Sequence, residues 1–307
     1  MPLASSSQQM LLRTGPFTVR LRCEHAPSLA NLQRLYRYHP AADADALGDF
    51  SIGLLRPFGL RRWWRPQVQL HTDSTTPFEP FPLDHALPLF EWGLNWCIAT
   101  QAHRFLMLHS GVVEKDGLAI IMPALPGSGK STLSAALMLR GWRLISDEFG
   151  LIQPQDPQLL LHPLPRPIPL KNRSIEVIRE FSQQAELGPV FPRTRKGDVA
   201  HLMASEHSQQ NCMQTARPGW VLFPRYQSGS QTRLETLSRG WAFLKISSNS
   251  FNYKLQGARG FNAVADLVER CPAFALEYSD LDQAIERIEA IHREVREANP
   301  APATPAR

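Results

Sequence analysis

Only four cysteines, at positions 23, 97, 212 and 271, are spread through the 307 residues, with no CxxC pair and no histidine at metal-ligand spacing. Neither a zinc site nor a disulfide framework is signalled, and reduced thiols in a cytoplasmic enzyme are the expectation. No apolar run approaches the about 20 residues that cross a bilayer. The opening MPLASSSQQMLLRTG lacks the basic start and long apolar stretch of a secretory signal, so neither a membrane span nor export is expected. The GxSxG elbow of serine hydrolases is missing and no cysteine lies in a nucleophile signature, which excludes Ser- and Cys-based hydrolysis. No internal repeat is visible.

What is present is a globular composition, 43% hydrophobic and 20% charged, with room for one large domain or two ordinary ones. A formal net charge of +5 favours anionic partners such as nucleotides, nucleic acid or an acidic protein. FTVRLR at 17–22 alternates apolar and polar residues, as does part of 51–55, and both read as half-buried strands in an N-terminal α+β module over residues 1–83. Prolines crowd 56–82 around one predicted strand at 67–71. Residues 84–105 carry Leu87, Phe90, Leu94, Ile98 and Phe105 near helical spacing, with Asp84 as N-cap. The main domain is expected over 84–297. Within it, LMLHSGVV, an EKDG turn and LAIIMPAL predict a hairpin, 130–140 a helix closed by Gly141, and WRLIS a strand. Residues 153–169 read as loop, 171–181 as a short helix, and 261–270 and 280–297 as amphipathic helices; the tail 298–307 is expected to be disordered.

The hairpin runs straight into PALPGSGKST, residues 123–132. A GxGKS/T string arises by chance in about one chain in a hundred of this length, and the strand before it and helix after it lower that further. Residues 124–132 (Ala124, Leu125, Pro126, Gly127, Ser128, Gly129, Lys130, Ser131 and Thr132) thus read as a phosphate cradle of backbone N–H groups at a helix start. Ala124 stands where the first glycine of such loops is usual, which costs little if its backbone stays out of the left-handed region. In this reading Lys130 neutralises the β- and γ-phosphates of ATP, Ser131 ligates Mg2+ and Thr132 assists. Asp147-Glu148 ends an apolar strand 17 residues after Lys130, where phosphate-loop enzymes hold a metal-linked acid.

The stretch LHSGVVEKDGLAIIMPALPGSGKSTLSAALMLRGWRLISDE, residues 108–148, resembles the HPr kinase/phosphorylase family, and within it the HPr-kinase-related kinase A subgroup. HPr kinases similarly show a His-containing strand, a hairpin turn, the glycine loop, a helix ending in Arg-Gly and a tandem acidic pair. The likeness extends through EWGLNWCIAT (91–100), PLPRPIPLKNRSIEVI (163–178), TRKGDVAHL (194–202) and NSFNYKLQG (249–257). It implies an α/β fold with a phosphate-loop kinase domain of HPr kinase/phosphoenolpyruvate carboxykinase type, in which a hairpin precedes the loop. It also implies a cytoplasmic ATP- and Mg2+-dependent kinase whose acceptor is a Ser or Thr hydroxyl on a protein or peptide. Carried over by position, Lys130 is the loop lysine, Ser131 the magnesium-binding hydroxyl and His109 the active-site histidine. Asp147 and Glu148 match the acidic pair, with the base assigned jointly because Glu148 stands where the family has Asp, and Glu176 in SIEVIR matches a later magnesium-completing glutamate. The phosphorolysis signature is not intact, so kinase activity alone is expected.

Two other readings stay beside this one. The chain could be an ATP-binding switch protein with little transfer, in which Glu148 tunes hydrolysis. RPFGLRRWWRP, residues 56–66, sets Arg56, Arg61, Arg62 and Arg65 around Trp63 and Trp64, an arrangement able to stack single-stranded bases. Ordinary interface packing is the preferred reading there, and no nucleic-acid partner is expected. Lys171, Arg173, Arg193, Arg195 and Lys196 read first as solvated loop charges. A homo-oligomer is left open.

Overall fold

FTVRLR lies in a strand, β2 (Phe17–Cys23), whose side chains alternate between buried and outward. In the computed structural model, which describes residues 8–298 apart from 44 and 74, β1 (Gln8–Thr14) precedes it. After it come α1 (Ala26–Leu35), β3 (Phe50–Leu55), β4 (Gln67–Thr72), β5 (Phe81–Pro82) and α2 (Ala86–Gln101). The five strands form one sheet in chain order, with β2 and β3 parallel and the other neighbours antiparallel. Helix α2 is apolar on nearly all sides and packs on β3 and β4. Asp84 is not its cap: Leu83–His85 is a 3-10 turn and His85 takes the cap position without a side-chain hydrogen bond.

Strand β6 (Leu106–Lys115) and strand β7 (Leu118–Pro123) form the expected hairpin, joined by Asp116 (φ 53°) and Gly117 (φ 80°), a turn of the kind Asp-Gly favours. They are followed by α3 (Lys130–Leu139), β8 (Arg143–Ser146), β9 (Phe149–Ile152) and β10 (Leu161–His162), so 153–169, expected to be loop, contains β10 and the first residues of the next strand. Next come β11 (Ile168–Lys171), α4 (Arg173–Phe181), β12 (Phe191–Thr194), β13 (Gly197–Leu202) and α5 (Glu206–Gln210). These three strands make a small antiparallel sheet in the order β11-β13-β12. The chain ends with β14 (Arg217–Tyr226), β15 (Arg233–Leu237), α6 (Arg239–Ser248), α7 (Tyr253–Gln256), α8 (Ala258–Arg270), β16 (Ala273–Tyr278) and α9 (Leu281–Ala298). The 298–307 tail lies outside the described residues except for Ala298, which closes α9.

Two units result. One comprises Met1–Ala102 with Leu164–Met213, the other His103–Pro163 with Gln214–Arg307. Residues 84–102, expected with the glycine loop, cluster with the N-terminal elements, where α2 is covered by β3 and β4, and residues 164–213 fall in the same unit. The second unit is a mixed eight-stranded sheet in the order β10-β9-β6-β7-β14-β16-β15, with β8 also on β6. Its central β7, β14 and β16 are parallel. Leu106, Leu108, Val112, Ile121 and Val221 of the sheet pack with Ala242 and Ile246 of α6 and Val264 and Leu267 of α8. Each such aliphatic side chain stabilises by about 1.5–3 kcal/mol through burial.

The first unit holds a buried titratable group with a readable consequence. His201 on β13 is 1% exposed and neither ring nitrogen has a hydrogen-bond partner. Burial, with the charges of Arg166 and Lys171, pushes its pKa down to about 3. A depressed folded-state pKa favours the neutral ring, so this contribution is intact above about pH 6.5 and is lost as pH falls toward 3. Urea unfolding at pH 7, 5 and 4 should show falling stability in the wild type. His201→Phe, whose ring suits the edge contact with Phe191, should flatten that slope.

Candidate functional site

β7 is buried at every residue and delivers the chain to the glycine loop at the sheet's parallel centre. Gly127 and Gly129 both have φ of 87°, a conformation that side chains disfavour. At Gly129 there is also no room: a Cβ would lie 2.7 Å from Tyr278 Oη and 2.8 Å from Tyr226 Cβ. Tyr278 donates its hydroxyl to the Gly129 carbonyl (3.3 Å), and the Tyr226 amide donates to the Ser128 carbonyl (2.8 Å). Ala124 is buried and is not among the residues with positive φ, so its methyl group is tolerated. Leu125 and Pro126 are exposed at the crest. The first amides of α3 have no intrahelical acceptor, so loop and helix together present donors suited to an anion.

Lys130 is the first residue of α3 and is 7% exposed. Its ammonium donates to the backbone carbonyl of Asp147 at 2.7 Å, leaving two further donors. It crosses β6 at Gly111, where an added Cβ would meet Ser134 Oγ at 2.5 Å and Lys130 Cγ at 3.3 Å. Asp147 and Glu148 interrupt the β8-β9 run opposite Gly111 and Ser110 of β6, and the Ser146 hydroxyl accepts from the amides of Glu148 and Phe149 to hold the turn.

The two acids meet different surroundings. Asp147 is 5% exposed, and neither carboxylate oxygen closes a hydrogen bond. Burial raises its pKa against the opposing pull of the Lys130 ammonium and of the Ser131 and Ser134 hydroxyls. A buried carboxylate with both oxygens unsatisfied, beside Ser131, is a donor set that fits a hard divalent cation. Among the described residues no group of three or more His, Cys, Asp or Glu could hold a metal ion. Glu148 is half-buried, with Oε1 3.6 Å from Nε2 of His109. Backbone and side chain of Asn249 fix His109: its amide donates to the Asn249 carbonyl (2.8 Å) and its carbonyl accepts from Asn249 Nδ2 (3.0 Å).

Glu176 sits on α4 in the first unit, exposed and 3.5 Å from Arg179. Of the loop cations, Arg195 lies over Phe81 and Lys196 over Trp92. Lys196-Gly197-Asp198 is part of a tight hairpin in which the Asp198 amide donates to Asn172 Oδ1 and its carboxylate accepts from the Arg193 amide. Arg61 and Arg65 stack on Trp64, Arg62 lies over Trp63 and approaches Glu24 at 3.5 Å, and both tryptophans are exposed. Sequence reasoning missed Gly111, Ser134, Tyr226, Tyr278 and Asn249. Gly111, Ser134 and Asn249 lie in stretches that carry the family resemblance, and nothing local marks the tyrosines, which reach the loop through parallel strand pairing.

The site is a glycine-rich loop at a helix start joined to a buried acid. No family model and no curated protein matches the chain. Among solved structures, the HPr(Ser) kinase/phosphatase from Coxiella burnetii is similar over 62% of this chain and 98% of that chain, at 13% identity and a TM-score of 0.30. Among the described residues no helix is long and apolar enough to cross a membrane.

Gly117 and Gly129 allow a test of the tyrosine contact. Both have positive φ, but a Cβ at Gly117 meets nothing within 4 Å. Gly117→Ala should cost about 1 kcal/mol of backbone strain. Gly129→Ala should cost about 1–3 kcal/mol more, from overpacking. Equal thermal shifts for the two variants would remove the close approach from the account.

Proposed function

We propose that the chain is an ATP- and Mg2+-dependent kinase of the HPr-kinase-like type, with a phosphate-loop kinase fold in its second unit, acting on a Ser or Thr hydroxyl of a protein or peptide. The observation that carries this reading is the buried, unsatisfied Asp147 carboxylate held against the loop lysine, with a second carboxylate one residue on that reaches solvent. Phosphoryl transfer asks for alignment and charge neutralisation rather than covalent help from the protein. Amides at 127–132 and the Lys130 ammonium would hold the phosphates, and Ser131 and Asp147 would hold the cation, which would supply charge neutralisation when bound. Glu176 belongs to the metal set only through the family resemblance.

Glu148 is the better base of the pair because it keeps contact with water and with His109, whereas Asp147 is enclosed. As the acceptor oxygen bonds to the γ-phosphorus and the bond to the bridging oxygen breaks, the hydroxyl proton passes to Glu148 and ADP leaves. His109 stands 3.6 Å from the Glu148 carboxylate. A cytoplasmic setting accords with the reduced cysteines this reading assumes.

Calorimetry supplies the first check: Lys130→Ala should abolish the heat of MgATP binding that the wild type gives. Glu148→Gln should bind MgATP as the wild type does and lose transfer by about 10²–10⁴-fold. The acceptor is sought by incubating the protein with labelled ATP, magnesium and a lysate of its host. Binding without transfer to any polypeptide, together with an ATP-dependent change in partner affinity, would replace the kinase by a nucleotide-operated switch.

A further inference from the structure

Beyond Ser110, β6 loses its neighbour, because β7 ends there and turns into the glycine loop. The vacated edge is taken by residues 249–251: the His109 amide bonds the Asn249 carbonyl, the Phe251 amide bonds the Met107 carbonyl (2.9 Å), and Leu108 pairs with Ser250. Residues 249–251 therefore run directly beside His109. Its Phe251 ring is 5.3 Å from the His109 ring and 4.8 Å from that of Phe149, and is 45% exposed.

Residues 249–251 belong to a longer run, 238–265, that contains Arg239, Lys245, Lys254 and Arg259 and no Asp or Glu. The chain has 28 acids in 307 residues, so a run of this length would ordinarily hold about two or three. All four cations are exposed, and among the described residues none is ion-paired. Between them stand large apolar side chains open to solvent: Trp241 and Leu244 on α6, Phe251, Leu255 on α7 and Phe261 on α8. Phe243 packs against both Phe261 (5.1 Å) and Tyr253 (6.4 Å), which ties the three helices into one face. Apolar side chains gathered on an exposed face mark an interaction surface, and unpaired cations among them select an anionic partner. Nothing in binding a nucleotide requires such a face.

We propose that this face docks the acceptor polypeptide, and that the acceptor presents acidic and large apolar side chains within a few residues of the hydroxyl that receives the phosphoryl group. The inference rests on the kinase reading and names the substrate class for it. Continuity with the His109–Glu148 pair favours a polypeptide threaded past the base over a bilayer, which would have to bring its surface to a half-buried carboxylate.

The test uses the full chain with labelled ATP and magnesium on three sets of Ser-centred peptides, flanked by Glu and Leu, by Lys and Leu, or by Glu and Ser. The Glu/Leu set should be phosphorylated at least about tenfold faster, in kcat/KM, than either other set. The double variant Lys254→Glu/Arg259→Glu should lose the preference for Glu, and Leu255→Ser the preference for Leu. Both changes should act through KM with kcat held, and both should leave MgATP binding untouched, since these positions are exposed and outside the loop. A flat profile, a preference for Lys, or variants indistinguishable from wild type overturns the docking face and leaves the kinase reading standing. MgATP binding without transfer to any peptide strikes the kinase reading and this inference with it. A flat profile joined to binding of phosphatidylserine vesicles that the double variant loses assigns the face to a lipid surface instead.

Discussion

One hydrogen bond organises the second unit: the Lys130 ammonium donating to the main-chain carbonyl of Asp147. It joins the start of α3 to the turn between β8 and β9. Its path is open because residue 111 has no side chain. A buried ammonium would be costly if unpaired, so the bond both orients the lysine and fixes where Asp147 must sit. The glycine loop is then braced from the far side by the Tyr226 amide and the Tyr278 hydroxyl, on two parallel strands that arrive from the other end of the chain. The conformation of the glycine loop is thus a product of tertiary structure, although its residues are contiguous.

The same bond divides the acidic pair. Holding the main chain of Asp147 against Lys130 turns its carboxylate inward, where dehydration opposes ionisation. The next residue, Glu148, is left at the surface of the turn within reach of His109. Two neighbouring acids thereby acquire different chemistries from backbone direction alone: one is suited to a cation that would relieve its burial, the other to exchange of a proton with solvent or substrate.

The legible parts of the fold were those with local causes. The hairpin over 106–123 was written in its Asp-Gly turn, α3 in its run of helix formers and the amphipathic α8 and α9 in their periodicity. Strands β12 to β16 carry no comparably clean pattern, and their places are set by pairing across long separations, as with β14 against β7. Grouping was harder still to read. Helix α2 looked like the entrance to the phosphate-loop domain, yet its all-round apolar surface is satisfied by β3 and β4. Of the candidate site, the loop and the acid pair could be read because each is contiguous. The features that hold them, Gly111, Tyr226, Tyr278 and Asn249, depend on neighbours in space.

Ala124 shows why glycines of one loop are not equivalent. At the loop's entry the backbone is not in the left-handed region, so a methyl group costs almost nothing there and its burial beneath the crest adds a small apolar contact. At 127 the positive φ alone demands glycine. At 129 the demand is double, since the same backbone conformation brings the α-carbon against both tyrosines. Departure from the usual loop pattern is therefore confined to the one position where neither conformation nor space requires glycine, and the donors that would face an anion, which follow Gly127, are left as the pattern prescribes.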